Sequence, residues 1–326
     1  MNINDFKGIT WSGSLKKFRT SPTTWFHEGM EDDIKDFKEL GVRWVRMGFG
    51  QDMPYEDVDY RVNLLLDNNI EPLLYWRKFN PKTDWGTPQQ EAENAEHLKA
   101  FVRRYRGKIK CIEIGNEPNL SCFWTYHPDK TGEGSGDPNT PYGRGVHTYV
   151  QHLKNCYEAI KSVAPEIIVL IAGISEWKST EYFEALGREK AYLYFDEMAF
   201  HPYGDNPKDT AYKLRLAKEN IARWPAPYNK FPIWVTEIGF HVEDWPTNPG
   251  KVESSAVKAE YLVETFKELL NEMDDIRPIF WYCFQEAFIG EDIEGYGIVS
   301  KSYENGKFEA RRIQPQFDAY ASIHNS

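Results

Sequence analysis

Two glutamates, Glu117 and Glu237, each close a β-branched apolar run just before a loop. The runs are Ile112-Glu113-Ile114-Gly115-Asn116-Glu117-Pro118-Asn119 and Ile233-Trp234-Val235-Thr236-Glu237-Ile238-Gly239-Phe240. A carboxyl at the C-terminal end of a strand stands where a parallel barrel opens to its substrate. The two lie 120 residues apart, so joint action requires a fold that gathers distant strand ends on one face. Two carboxyl groups facing each other across a sugar, one protonated as acid and one ionised as nucleophile, cleave a glycosidic bond with retention of configuration.

Both roles need support from other residues. An acid stays protonated near neutral pH if it is partly buried or close to another carboxylate. Glu117 has Phe123, Trp124 and Tyr126 just beyond it, and Asn116 beside it to bond a sugar hydroxyl. A nucleophile must stay ionised, so Glu237, which shares strand parity with Ile233 and Val235, needs donors; Arg46 and Tyr203 are the candidates. Arg46 lies in Trp44-Val45-Arg46-Met47-Gly48-Phe49, a strand that tolerates a charge only if it is paired. His201 and Tyr203 share parity at the end of another strand and reach the same face. Trp281 is expected as the floor under the sugar, Trp76 as a second platform, and Glu286 as a hydroxyl acceptor. Trp76, Trp85, Trp124, Trp177 and Trp245 fall in or near loops of that face and suit several sugar subsites. Glu113 has the parity of Glu117 but lies about 13 Å deeper, at roughly 3.3 Å per residue, and reads as a polar residue paired inside the barrel.

Strand-like segments alternate with helical ones along the chain. The predicted strands are 8–11, 44–49, 71–76, 110–117, 167–174, 197–203, 232–240 and 278–285. Helical patterns cover 28–40, 57–68, 89–105, 146–163, 180–188, 210–224, 252–274 and 314–324. Eight strands, each followed by a helix, imply an α/β fold, a closed (β/α)8 barrel. Gly41 and Pro165 stop helices, and Pro232 opens a strand where a missing N–H matters least. The 326 residues fit one catalytic barrel domain, since such barrels use about 250 residues plus insertions. Long connections over 119–145 and 286–311 follow strands and are expected to wall the cleft.

The formal net charge of -11 argues against nucleic acid and anionic membranes as partners, because phosphate binding needs clustered Lys and Arg. Aromatic residues make up 15 % of the chain, a supply of flat rings for stacking on pyranoses. Cys111, Cys122, Cys156 and Cys283 show no metal-ligand spacing and read as reduced, mostly buried thiols; no metal or organic cofactor is expected. The N-terminus lacks the apolar stretch of a secretion signal, and no segment is long enough to span a bilayer. A cytoplasmic protein is expected, or a secreted one if a signal peptide has been removed.

Asn116-Glu117-Pro118 on the fourth strand and Glu237 on the seventh resemble the clan A glycoside hydrolases, barrels with an acid/base on strand four and a nucleophile on strand seven. Arg46, His201, Tyr203 and Trp281 fall where that clan often carries an Arg, a His-x-Tyr pair and a platform Trp. Within the clan, Asn116-Glu117-Pro118-Asn119-Leu120 followed by Phe123-Trp124 looks most like glycoside hydrolase family 39, with family 5 second. The resemblance implies retaining cleavage of a β-linked carbohydrate. Many family 39 β-xylosidases resemble longer chains with an added β-sandwich, for which 326 residues leave no room, so the expectation moves to a compact endo-acting enzyme. An exo-acting β-xylosidase or β-glucosidase and a non-catalytic glycan-binding barrel are the alternatives.

Overall fold

The structure is a computed structural model that describes residues 3–11, 30–50, 53–76, 88–120, 123–124, 141–242, 249–275, 277–286, 288–289, 292–293, 295–304 and 307–323. Trp85, Cys122, Tyr126 and Trp245, and most of the 119–145 connection, lie outside the described residues.

Eight strands close a barrel in sequence order: β1 (Lys7–Thr10), β2 (Trp44–Phe49), β3 (Glu71–Trp76), β4 (Cys111–Asn116), β5 (Ile168–Ser175), β6 (Met198–His201), β7 (Ile233–Ile238) and β8 (Ile279–Trp281). All neighbours are parallel, and β8 returns to pair with β1. Helices α1 (Met30–Glu39), α2 (Tyr55–Asp67), α3 (Pro88–Tyr105), α4 (Pro141–Val163), α5 (Ser179–Arg188), α6 (Pro207–Ile221) and α7 (Ser255–Glu272) fall between successive strands, and α8 (Gln316–Ala321) follows the last. The chain is thus a (β/α)8 barrel, and every predicted strand overlaps an observed one.

Two boundaries differ from the sequence expectation. Helix α4 begins at Pro141 rather than at Val146, with proline supplying the first-turn φ that a helix start accepts. The stretch 286–311, read as one long connection, contains short paired strands β9 (Phe288–Ile289) and β10 (Asp292–Ile293), then a hairpin of β11 (Val299–Glu304) and β12 (Lys307–Arg312). The hairpin is charge-rich and weakly apolar, which hid it; its register sets Tyr303 opposite Phe308 and Glu304 opposite Lys307.

Alternation along the strands builds the interior in layers. The lower plug is Leu73, Cys111, Leu170, Trp234 and Phe280, with Trp44 and Ile168 against it. Trp234 meets Trp44 edge-on at 5.2 Å and stacks on Phe280 at 6.4 Å. Gly8 makes room for this plug, since a Cβ there would sit 2.7 Å from the Phe280 ring. The opposite faces, including Val45, Ile112, Ile114, Val235 and Ile279, pack into the main core between barrel and helices. Cys111, Cys156 and Cys283 are buried free thiols. Among the described residues no helix is long and apolar enough to cross a membrane.

Two of the helix starts on the side of the barrel mouth are capped by side chains: Asn206 accepts from the Asp209 N–H, and Ser254 accepts from the Val257 N–H. At the opposite end, the buried Lys7 ammonium donates to the carbonyls of Leu40, Tyr320 and Ile323, tying the end of α1 to the end of α8. Burial pulls the Lys7 pKa down to about 8. Replacing Lys7 by Met leaves three carbonyls short of a donor and is expected to destabilise the fold by about 2 kcal/mol. Chemical denaturation at pH 7 measures this, and a variant as stable as the wild type would show that water satisfies those carbonyls equally well.

Candidate active site

The mouth of the barrel is organised by Arg46, which is fully buried. Its Nε donates to Glu113 Oε2 at 2.7 Å, and Nη2 donates to Glu113 Oε1 at 3.2 Å and to Asn116 Oδ1 at 2.7 Å. Nη1 donates to Glu237. The guanidinium carbon lies 4.2 Å from the centroid of the Tyr75 ring. Burial alone would lower the Arg46 pKa, but the facing carboxylates of Glu113 and Glu237 outweigh it and raise it, so the side chain is a fixed cation. The strand charge that needed a partner has two.

Both key glutamates reach the mouth through a break in strand parity. On β4, Cys111 and Glu113 point inward while Ile112 and Ile114 point to the helices. Gly115 then takes φ +99°, and Glu117 itself takes φ +41°, so Asn116 and Glu117 both turn toward the mouth. Only glycine adopts the first conformation freely, and a glutamate in the second stores of order 1 kcal/mol or more of strain. On β7 the inward residues are Trp234 and Thr236, so Glu237, with the parity of Ile233 and Val235, would point outward in a regular strand. A bulge corrects this: Val235 pairs with Ile279 but Ile238 pairs with Trp281, so β7 carries one extra residue there. The parity reading of Glu237 therefore reached the right residue without the bulge that places it.

Around the two carboxyls the hydrogen bonds run in one direction. Glu113 accepts from Arg46, from the Gly173 N–H at 2.8 Å and from the Thr236 hydroxyl at 3.1 Å. Having given its proton to Glu113, Thr236 must accept from His201 Nε2, 3.0 Å away. The neutral His201 ring then presents a bare Nδ1 to Glu117 Oε1 at 2.8 Å, and the shared proton belongs to Glu117. The electrostatics agree. Burial pushes Glu117 up to about 7, opposed by Arg46 and reinforced by Glu113, and burial pushes His201 down to about 4.

Glu237 sits differently. Burial, with Glu117 adding to it, raises its pKa too, and the Arg46 guanidinium offsets only part of that rise. It accepts from Arg46 and from the Tyr203 hydroxyl at 3.2 Å, two donors suited to an anion. One oxygen of Glu117, one nitrogen of His201 and one oxygen of Glu237 all lie within 4.8 Å of one another. Such a trio can also hold a metal ion, but a cation there would face the Arg46 guanidinium already seated on Glu237. Gly173 is the clearance for the His201 ring, since a Cβ on it would lie 2.0 Å from Nε2.

The structure brings together Arg46, Asn116, Glu117, His201, Tyr203 and Glu237, and moves four other expected residues away. Trp281 is entirely buried, 6.3 Å from Phe240 on the helix-facing side of β8. Trp76 is 1 % exposed, with its indole bonded to Asn94 and its ring against Phe49. In each case the neighbour of opposite parity faces the mouth. Tyr75 lies under Arg46, and the half-buried Tyr282 is 5.5 Å from Tyr296, itself 6.0 Å from Tyr203. Trp124 packs on α4, its indole donating to Thr148 and its ring edge-on to Tyr149, so it too belongs to the core. Glu286 is buried and accepts from the Gly295 N–H at 3.0 Å, fastening its own loop. Thr236, Tyr75, Tyr282 and Tyr296 were missed; strict in-out alternation would have flagged the first three.

Fold and site together define a (β/α)8 barrel with a paired-glutamate mouth. No protein-family model matches the chain. Among solved structures it is similar to a family 39 glycoside hydrolase from Bacteroides cellulosilyticus WH2, with TM-score 0.64 and 18 % identity, covering 98 % of this chain and 63 % of that one. A monomeric β-xylosidase from Caulobacter crescentus CB15 gives TM-score 0.63 and 18 % identity over 97 % of this chain and 67 % of that one. The family 1 β-glucosidase from Thermotoga maritima gives TM-score 0.67 and 13 % identity over 97 % of both chains. At these identities the likeness is one of fold, and this chain spans 63 % of the family 39 hydrolase's length.

The donor count carries a stability consequence. A folded-state pKa of about 7 on Glu117, above the 4.5 of an ordinary glutamate, means the folded protein holds that proton more tightly than the unfolded chain does. The associated stability is full below pH 4.5 and is lost as pH rises through 7, about 3 kcal/mol in all. Glu117→Gln cannot ionise, and its amide can donate to His201 Nδ1. It should therefore exceed the wild type by up to about 3 kcal/mol at pH 8, with the gap closing by pH 4. Denaturant titrations at the two pH values measure it; a variant less stable at pH 8 would place the proton on His201 instead.

Proposed function

We propose that this chain is a retaining β-glycoside hydrolase whose barrel is its catalytic domain, with Glu117 as acid/base and Glu237 as nucleophile. The observation that carries the reading is the unequal treatment of two carboxyls less than 5 Å apart at closest approach: Glu237 is held by Arg46 and Tyr203, while Glu117 faces the bare nitrogen of a neutral imidazole. Retaining glycosidases need carboxyls about 5–5.5 Å apart, and inverting ones leave about 6.5–9.5 Å for a water. Glu237 attacks the anomeric carbon as Glu117 protonates the departing oxygen. Glu117, now a carboxylate, takes a proton from water, which attacks the same carbon and frees Glu237. Arg46 and Tyr203 hold the negative charge of Glu237 before attack and again as it departs. Asn116, fixed by Arg46, offers its amide N–H to a sugar hydroxyl, and Tyr75 and Tyr282 offer ring surface.

The β-linkage is supported by the similar structures, a β-xylosidase and a β-glucosidase among them. An uncharged glycan suits a chain of net charge -11. Endo action is supported by Trp177, 57 % exposed just past the end of β5, which offers ring surface beyond the scission point. Exo action is the second reading, favoured by those same named relatives.

The test is turnover of β-glucans, xylans and aryl β-glycosides, with product anomers read by NMR and product lengths by chromatography. Retained configuration is expected. Loss of either Glu117 or Glu237 to Ala should cost about 10²-fold or more on unactivated substrates; on activated aryl glycosides azide should rescue the Glu117 variant with a retained glycosyl azide and the Glu237 variant with an inverted one. Because Glu117 is protonated below about 7, kcat/KM on unactivated substrates should fall above that pH. Inverted products would sink the nucleophile assignment, monosaccharide-only products would establish the exo reading, and glycan binding without turnover would leave a binding barrel.

A further inference from the structure

Beside the acid, the exit of β5 forms a second constructed feature. Asn119, two residues past Glu117 and 3 % exposed, donates from its amide to the carbonyls of Ser175 at 3.0 Å and Trp177 at 2.9 Å and accepts from the Ser175 N–H at 3.0 Å. That is three of the four hydrogen bonds its amide group most readily makes. The turn that carries the acid and the loop that leaves β5 are therefore one rigid body, reinforced where the Glu117 N–H donates to the Gly173 carbonyl at 2.9 Å. The Ser175 hydroxyl donates to Glu176 Oε2 at 3.0 Å, fixing that carboxyl.

Two side chains on this loop take no part in the bond-breaking steps described above. Glu176 is half-buried and near enough to Glu117 to feel its charge; burial, with Glu117 adding to it against the Ser175 hydrogen bond, pushes its pKa up to about 7. Trp177 is 57 % exposed, with the Lys178 ammonium over its ring at 5.8 Å from the centroid. Three amide hydrogen bonds hold the loop that carries it, so the exposed indole stands at a fixed place beside the acid. The oxygen that Glu117 protonates belongs to the departing sugar, and β5 is the strand next to β4, so groups on the loop tied to the Glu117 turn through Asn119 lie beside that sugar.

We infer that Glu176 and Trp177 form the subsite for the leaving-group sugar, Trp177 stacking on its apolar face and Glu176 bonding its hydroxyls, with a neutral pyranose as the ligand class. This rests on the hydrolase reading and deepens it: the enzyme recognises a sugar on both sides of the bond it breaks.

The experiment loads the enzyme from an activated aryl β-glycoside and lets the glycosyl-enzyme partition between water and an added acceptor, cellobiose or xylobiose. The acceptor attacks from the leaving-group subsite, so the ratio of transfer to hydrolysis reports that subsite, and any change in donor turnover cancels. Trp177→Ala is expected to lower the ratio about tenfold, the value of one lost stacking contact. Glu176→Ala should lower it, and Glu176→Gln, which keeps an acceptor oxygen, should recover part. Ratios within twofold of wild type in both alanine variants would overturn the assignment. If the wild type turns over no donor, the hydrolase reading fails first; the sugar site is then judged by titrating cellobiose and xylobiose against wild type and Trp177→Ala, where equal affinity or absence of binding overturns it.

Discussion

A single buried guanidinium organises this barrel's mouth. Arg46 has no route to water, so its charge must be answered by protein groups, and Glu113, Glu237, Asn116 and the face of Tyr75 answer it. Those partners come from β4, β7 and β3, so one side chain on β2 fixes three other strand ends relative to one another. Removing it would leave the Glu113 charge buried and uncompensated beneath the carboxyls of Glu117 and Glu237. The arrangement is costly by itself, since moving ions out of water is rarely repaid fully by pairing. Its return is geometric: the carboxylate above is held still and charged.

The second consequence of that layer is directional. Because Glu113 is saturated by donors, the threonine above it has only one way to orient its proton, and the imidazole next to it only one tautomer that fits. Orientation is transmitted upward through hydrogen bonds until it reaches Glu117, the one member able to give a proton up. Two glutamates of identical chemistry are thus given different surroundings, which is what the opposite duties proposed for them require.

Most of the fold was legible in the sequence because the βα alternation is regular and the strand runs are apolar. The glutamates, Arg46, His201 and Tyr203 were legible for the same reason: polar residues at strand ends are conspicuous against such runs. What failed was parity. Trp281 and Trp76 stand near strand ends as platform rings would, yet their faces belong to the helix layer, and the smaller rings beside them, Tyr282 and Tyr75, face the mouth. Glu237 survived a parity argument that a bulge invalidates, because nothing in Val235-Thr236-Glu237 marks an extra residue before its neighbour β8 is known. Trp124 and Glu286 lie where a local string cannot distinguish a cleft wall from a packed one. The hairpin 299–312 was missed because its strands are more charged than apolar.

The ionic layer also fixes a quantity that no single residue shows. With Arg46 positive, Glu113 and Glu237 negative, and Glu117 and His201 neutral, the mouth carries a formal charge of minus one. In the proposed cycle Glu237 loses its charge by forming an ester as Glu117 gains one by losing its proton, so the total is unchanged at every resting stage. A medium of low polarity, ill suited to accommodating a change of net charge, is never asked to do so. Only the passing oxocarbenium-like state brings the missing positive charge, and a ligand shaped like a sugar but carrying a permanent cation would meet the same complementarity without reacting.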